Sequence, residues 1–226
     1  MNALAARLEG HAQELVRESL EAMYGDPFWL DRFGERGRDF ARADGLYHLT
    51  YLATALSIGG TGTLENYARW LQTVLTTRGM CTLHIEENFA RLAEAIRARG
   101  LDEQGVAQHY LAAASAALRY RGSGKGLQAA TSRLAAKAAE GMSPDRLREA
   151  MALSSFLADA VALSMTTSFV GHVAWLRAHH ARTGAGADFV PRLLERLAGS
   201  VRELPELTGE ERAAALQAIS AAAASR

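Results

Sequence analysis

The residues best suited to chemistry lie along one side of a single predicted helix. At about 100° per residue, Arg38, Ala41, Asp44, His48, Leu52 and Ala55 fall on one stripe, with Tyr47 and Tyr51 along its edge. A carboxylate, an imidazole, two phenols and a cation therefore share one side of an otherwise apolar helix. Such a carboxylate can accept hydrogen bonds from N–H donors and stabilise a protonated, conjugated ligand, while Arg38 or Arg42 can pair with acidic groups. Tyr67 and Trp70 are three residues apart on the next long helix and can form an aromatic wall. For Trp70 a core-packing position shared with Trp175 is the competing reading.

The elements that must position these groups are helical. Hydrophobic residues make up 49% of the 226-residue chain and only four prolines occur, a composition that favours packed helices over a sandwich or a disordered chain. The 25 basic and 25 acidic residues cancel, so no global field draws in nucleic acid or an anionic membrane. The start of the chain lacks the uninterrupted apolar region of a signal peptide, and no apolar run approaches the ~20 residues of a membrane span. A cytoplasmic location is expected, without a membrane or nucleic-acid partner. Cys81 is the single cysteine, which rules out an internal disulfide and a cysteine-based zinc site and reads as a structural residue. No zinc-protease helix, nucleophile elbow, Rossmann fingerprint or di-iron carboxylate–histidine pair occurs, so an enzyme is not expected.

Punctuation places the helices. Asp26 before Pro27 and Ser143 before Pro144 suit a cap followed by the first helical position, and Thr208 to Glu211 has the spacing of a capping box. Gly59-Gly60, Gly79, Gly100 and Gly184 follow apolar-periodic runs, where a left-handed residue closes a helix. The expected helices are 3–24, 28–57, 64–78, 83–99 and 103–119, then 127–140, 144–164, 168–182, 189–202 and 210–224, with a break near Gly34–Gly37. Adding 105 to a position pairs Trp70-Leu71 with Trp175-Leu176, Thr61 with Thr166, Gly79 with Gly184, and Arg91-Leu92-Ala93 with Arg196-Leu197-Ala198. This register reads as a tandem duplication of one five-helix module. The first module is expected over 1–120, a Gly-rich linker over 121–126, and a diverged second module over 127–226. The linker contains Gly-Lys but lacks the spacing of a phosphate loop and has no strand before it.

The stretch from Ala41 to Tyr67 resembles the phycobiliprotein family. The family's run Cys-Ala-Arg-Asp-x-x-Tyr-Tyr-Leu-Arg, continuing to Gly-Gly-Thr-Gly and then Tyr, lines up without a gap. Asp44 falls on its pyrrole-binding Asp, Tyr47 and His48 on its Tyr-Tyr pair, Gly59-Gly60-Thr61-Gly62 on its Gly-Gly-Thr-Gly, and Tyr67 on its pocket Tyr. The chromophore-attaching Cys is replaced by Ala41 and the propionate-pairing Arg by Ala43. Residues from about 8 to 118 follow the later helices of that globin-like fold in order. The family's first helices, which serve subunit assembly, have no counterpart before Met1, so rod-forming antenna assembly is not expected. Bilin-biosynthesis-associated globins and the bilin-binding domains of photoreceptors are the nearer comparison.

The resemblance implies an all-α, globin-like fold whose first module holds a bilin, of the biliverdin or phycocyanobilin type, without a covalent bond. Asp44 would meet the pyrrole nitrogens, Tyr47 and His48 the ring edges, and Tyr67 would lie across the pocket. Tyr51 and Trp70 add to the wall, and Arg38 or Arg42 would meet propionates. The role would be carriage, storage or light sensing, with bilin-biosynthesis enzymes as candidate partners and a homo-oligomer as a candidate assembly. Heme is the alternative ligand, through His48 or His172; His172 and His179 are seven residues apart and share a face of one helix. The second alternative is a helical protein-interaction scaffold with no cofactor. In the second module the counterparts of Asp44, Tyr47 and His48 are Glu149, Ala152 and Leu153.

Overall fold

The computed structural model describes residues 2–184 and 188–225, and among them eleven helices and no strand occur. In order these are α1 (Ala3–Gly10), α2 (Ala12–Tyr24), α3 (Pro27–Ile58), α4 (Gly62–Thr76), α5 (Thr82–Ala98), α6 (Val106–Ala117), α7 (Lys125–Ala138), α8 (Pro144–Ala162), α9 (Thr166–Thr183), α10 (Phe189–Glu203) and α11 (Gly209–Ala224). Among the described residues, no helix is long and apolar enough to cross a membrane. Two units form: Met1–Thr73 with His84–Leu118, and Val74–Leu83 with Arg119–Arg226.

Local chemistry explains several helix ends. Asp26 caps α3 by accepting from the Phe28 N–H at 3.0 Å, and Pro27 takes the first helical position, where no N–H is needed. Thr208 and Glu211 complete a reciprocal capping box on α11. Gly59 and Gly184 close α3 and α9 in the left-handed conformation, with φ of 83° and 77°. The expected single helix over 3–24 is corrected to two. His11, at φ −107°, interrupts it after Gly10, a residue of poor helix propensity, and the His11 N–H turns back to the carbonyls of Arg7 and Leu8. In α3, Gly34 leaves helical geometry at φ 65°, ψ −173°, so the long helix is kinked where a break was expected.

In the first unit, α1, α2 and α6 pack against α3. The approach of α2 to α3 is close at Gly45, where a Cβ would lie 2.9 Å from Val16 Cγ1. Arg99, just past the end of α5, donates to Glu14 and to both carboxylate oxygens of Glu18, tying α5 to α2.

In the second unit, α8 is central and packs against α7, α9 and α11. Phe156, Leu157, Leu153 and Ala150 of α8 are buried with Leu134, Phe169, Val173, Leu193, Leu197 and Ile219, and Cys81 sits in the same core. In the Gly-rich stretch expected to be a linker, α7 already starts at Lys125, and Gly124 is buried at its N-cap.

A buried carboxylate organises this unit. Asp159 accepts from the Thr82 N–H at 2.7 Å, the Thr82 hydroxyl at 2.7 Å and the Tyr120 hydroxyl at 2.8 Å. Residues far apart in the chain thereby meet at one group on α8. Burial raises the Asp159 carboxyl to about 6, against the lowering effect of its hydrogen bonds from Thr82 and Tyr120. Asp159→Ala is expected to cost about 3 kcal/mol, because it strands buried donors without an acceptor. Urea unfolding measures this, and a loss below about 1 kcal/mol would show that water replaces the carboxylate without difficulty.

Candidate functional site

The aromatic and acidic residues singled out from the sequence converge on one face of α3 and α4. Tyr67 is buried on α4, and its ring stacks on Tyr51 of α3, with centroids 4.0 Å apart and planes 14° from parallel. Trp70, one helical turn further along α4, lies 5.9 Å from Tyr67. Trp70 is 58% exposed, so the competing core-packing reading does not hold: the ring extends the stack toward solvent. Tyr47, 59% exposed, occupies the same side of α3 one turn before Tyr51.

Beneath this surface His48 is fully buried. Its Nδ1 pairs with the Tyr67 hydroxyl at 2.7 Å, and Phe89 of α5 meets its ring edge-on. Burial lowers the imidazole to about 4, so at neutral pH it is uncharged. Asp44 is partly buried, and its charge adds to burial in pushing the Tyr67 phenol upward. The face thus joins stacked aromatic rings, a carboxylate and a neutral imidazole held behind a phenol.

The two arginines are placed elsewhere. Arg38 lies over the Tyr24 ring at 5.4 Å and beside Glu35, and Arg42 stands beside Asp39 on the exposed side of α3. Ala41 lines a cavity of about 10 Å³ together with Val16, Ser19, Leu20, Gly45, His48, Asn88 and Leu92. That space holds roughly one water molecule. Ser19 and Asn88 were not signalled by the sequence; both are buried polar residues, brought to His48 by α2 and α5.

A second, related stack occupies the other unit. Phe156 of α8 stacks on His172 of α9 at 4.0 Å and 19°, and His172 lies 5.8 Å from Trp175. These positions are Tyr51, Tyr67 and Trp70 advanced by 105. His172 is 1% exposed, a buried ring within this stack. The stack continues to His179, 5.2 Å from Trp175.

The class defined by this fold and site is an all-helical protein with an exposed aromatic face backed by a buried His–Tyr pair. The chain matches no family model, no curated protein and no solved structure.

Proposed function

We propose that the first unit binds a linear tetrapyrrole without a covalent bond, for carriage, storage or light sensing, on the face formed by α3 and α4. The observation that carries the reading is the gathering of Asp44, Tyr47, Tyr51, Tyr67 and Trp70 on one face. A conjugated, elongated ligand gains from stacking on exposed rings, and a carboxylate at their edge accepts from pyrrole N–H groups and favours the protonated chromophore. The phycobiliprotein-like run over Ala41–Tyr67 supports the same assignment. Ligand pockets commonly span about 300–1,000 Å³, far more than the cavity beside Ala41. The ligand therefore lies along the exposed rings and not in the interior next to the position where the family carries its cysteine.

We also read the chain as a duplicated, globin-like module. Three independent features support the 105-residue register: the matched ring stacks, the kink at Gly34 against the break between α7 and α8, and the left-handed Gly59 against Ser164. Ser164 is the one non-glycine residue with positive φ among those described, at 55°. Inheritance from a helix-closing glycine accounts for that conformation.

Heme is less well served. His48 and His172 are both buried in packed ring clusters, and each would have to leave its neighbours to reach iron.

Titration of the protein with biliverdin, in parallel with hemin, tests the proposal by absorption. A sharpened, intensified red band with biliverdin is expected. Trp70→Ala and Tyr51→Ala should each weaken binding by about tenfold, as the loss of one stacking partner costs about 1–1.5 kcal/mol. Asp44→Asn should blue-shift or weaken the red band. A sharp Soret band with hemin alone would move the assignment to His48 or His172. No change with either ligand would leave the exposed aromatic face as a protein-contact surface.

A further inference from the structure

The second unit carries a cluster of ligating side chains that the tetrapyrrole reading does not use. Glu149 of α8 and His179 and His180 of α9 each offer one ligand atom, and these atoms all lie within 4.8 Å of one another. His180 Nε2 and a Glu149 oxygen are 3.1 Å apart. Two ligands of a tetrahedral zinc ion, each about 2.0–2.2 Å from the metal, stand roughly 3.4 Å from one another. One pair is already near that spacing, and the remainder requires a contraction of at most about 1.4 Å, within the reach of a side-chain rotation.

The surroundings suit such a role. His180 is buried and its ring is held edge-on by Phe189 at 4.7 Å. His179 is held by the face of Trp175 at 5.2 Å and 22°. Two imidazoles and one carboxylate form a nitrogen and oxygen donor set that favours zinc and neighbouring transition metals over magnesium or calcium, which prefer all-oxygen ligands. Such a set also leaves a fourth position open.

Arg146 is the competitor. Its guanidinium donates to both Glu149 oxygens at 2.9 and 3.0 Å, lies 3.0 Å from both ring nitrogens of His180, and rests over Phe189. A metal ion and this cation compete for the same carboxylate.

We propose that Glu149, His179 and His180 form a binding site for one divalent transition-metal ion of the zinc type, with Arg146 as the group that ion displaces. The proposal is independent of tetrapyrrole binding.

Calorimetric titration of the full chain with zinc chloride, with cobalt(II) absorption as a second readout, tests it. One ion per chain is expected. His179→Ala should weaken zinc binding by at least tenfold, and Arg146→Gln should tighten it by about tenfold through loss of the competing charge. His179 and Arg146 are only partly buried, so both variants should keep the wild-type far-UV circular dichroism. The opposite response in the Arg146 variant separates a metal site from a structural ion-pair network, which that substitution would only loosen. Zinc affinity unchanged by His179→Ala, or absence of zinc binding in Arg146→Gln, would overturn the assignment.

Discussion

Replacing Gly124 by alanine is expected to destabilise the second unit by about 4 kcal/mol. Gly124 holds φ 81°, and a Cβ there would lie 2.6 Å from the Ala162 Cβ, 2.8 Å from the Ala158 carbonyl oxygen and 3.0 Å from the Ala162 Cα. Two of those three atoms are backbone, and the third is fixed to it. Relief therefore requires α7 to move away from α8, the central helix of the unit. The left-handed conformation itself costs an L-residue about 1–2 kcal/mol, and the clash accounts for the rest. Gly141 is the matched control: its φ is 75°, but a Cβ there meets nothing within 4 Å. Gly141→Ala should cost only about 1 kcal/mol, the conformational part alone. Urea unfolding of the two variants separates the effects, and equal losses would show that the contact with α8 yields easily.

Acidification should unfold the first unit, with a loss on the order of 5 kcal/mol between pH 7 and pH 4. Two buried imidazoles drive it. His48 is lowered to about 4 by burial. His84 is lowered to about 3, by burial and then by the Arg32 charge, in a box made by the rings of Phe28, Trp29 and Phe33. Both are therefore neutral in the folded protein at pH values where the unfolded chain, with its histidines near 6.5, takes up protons. Their contribution is fully present above pH 6.5 and is lost as pH falls through about 4 for His48 and about 3 for His84. Asp159 acts in the opposite sense in the second unit. Its folded carboxyl, near 6, is raised above the ordinary 3.8, so its contribution is fully present below pH 3.8 and is lost as pH rises through 6.

The expected result is a two-stage acid transition in which the first unit opens before the second. Trp29 beside His84 reports on the first unit, in a variant with Trp70 and Trp175 replaced by phenylalanine. His84→Leu should remove a substantial part of the pH dependence. A first-unit unfolding midpoint unchanged from pH 7 to pH 4 would contradict the neutral, buried state of both rings.

Much of the helical architecture could be read from the chain because its causes are local. Asp26-Pro27, Thr208 to Glu211, Gly59 and Gly184 act within a turn of themselves, so the caps predicted from them recur in the structure. Two expectations fared differently: Ser143 precedes Pro144 at the start of α8 but makes no side-chain cap hydrogen bond, and the division between α1 and α2 at His11 was not signalled. That Asp44, Tyr47, His48 and Tyr51 share one side of α3 was also accessible, because helical periodicity puts residues three and four apart on one side, whereas the meeting with Tyr67 of α4 depends on how the two helices pack.

Periodicity does not say what covers that side. Whether Trp70 is core or surface depends on which helices lie over α4, and the answer is solvent. The same limit hid the meeting of Asp159 with Thr82 across 77 residues and of His180 with Glu149 across 31. A carboxylate and its donor carry no mark of each other in sequence; burial makes the pairing obligatory, and only packing chooses the partner. Helices and their faces are thus a property of short stretches of this chain, whereas its buried polar contacts belong to the way those faces close.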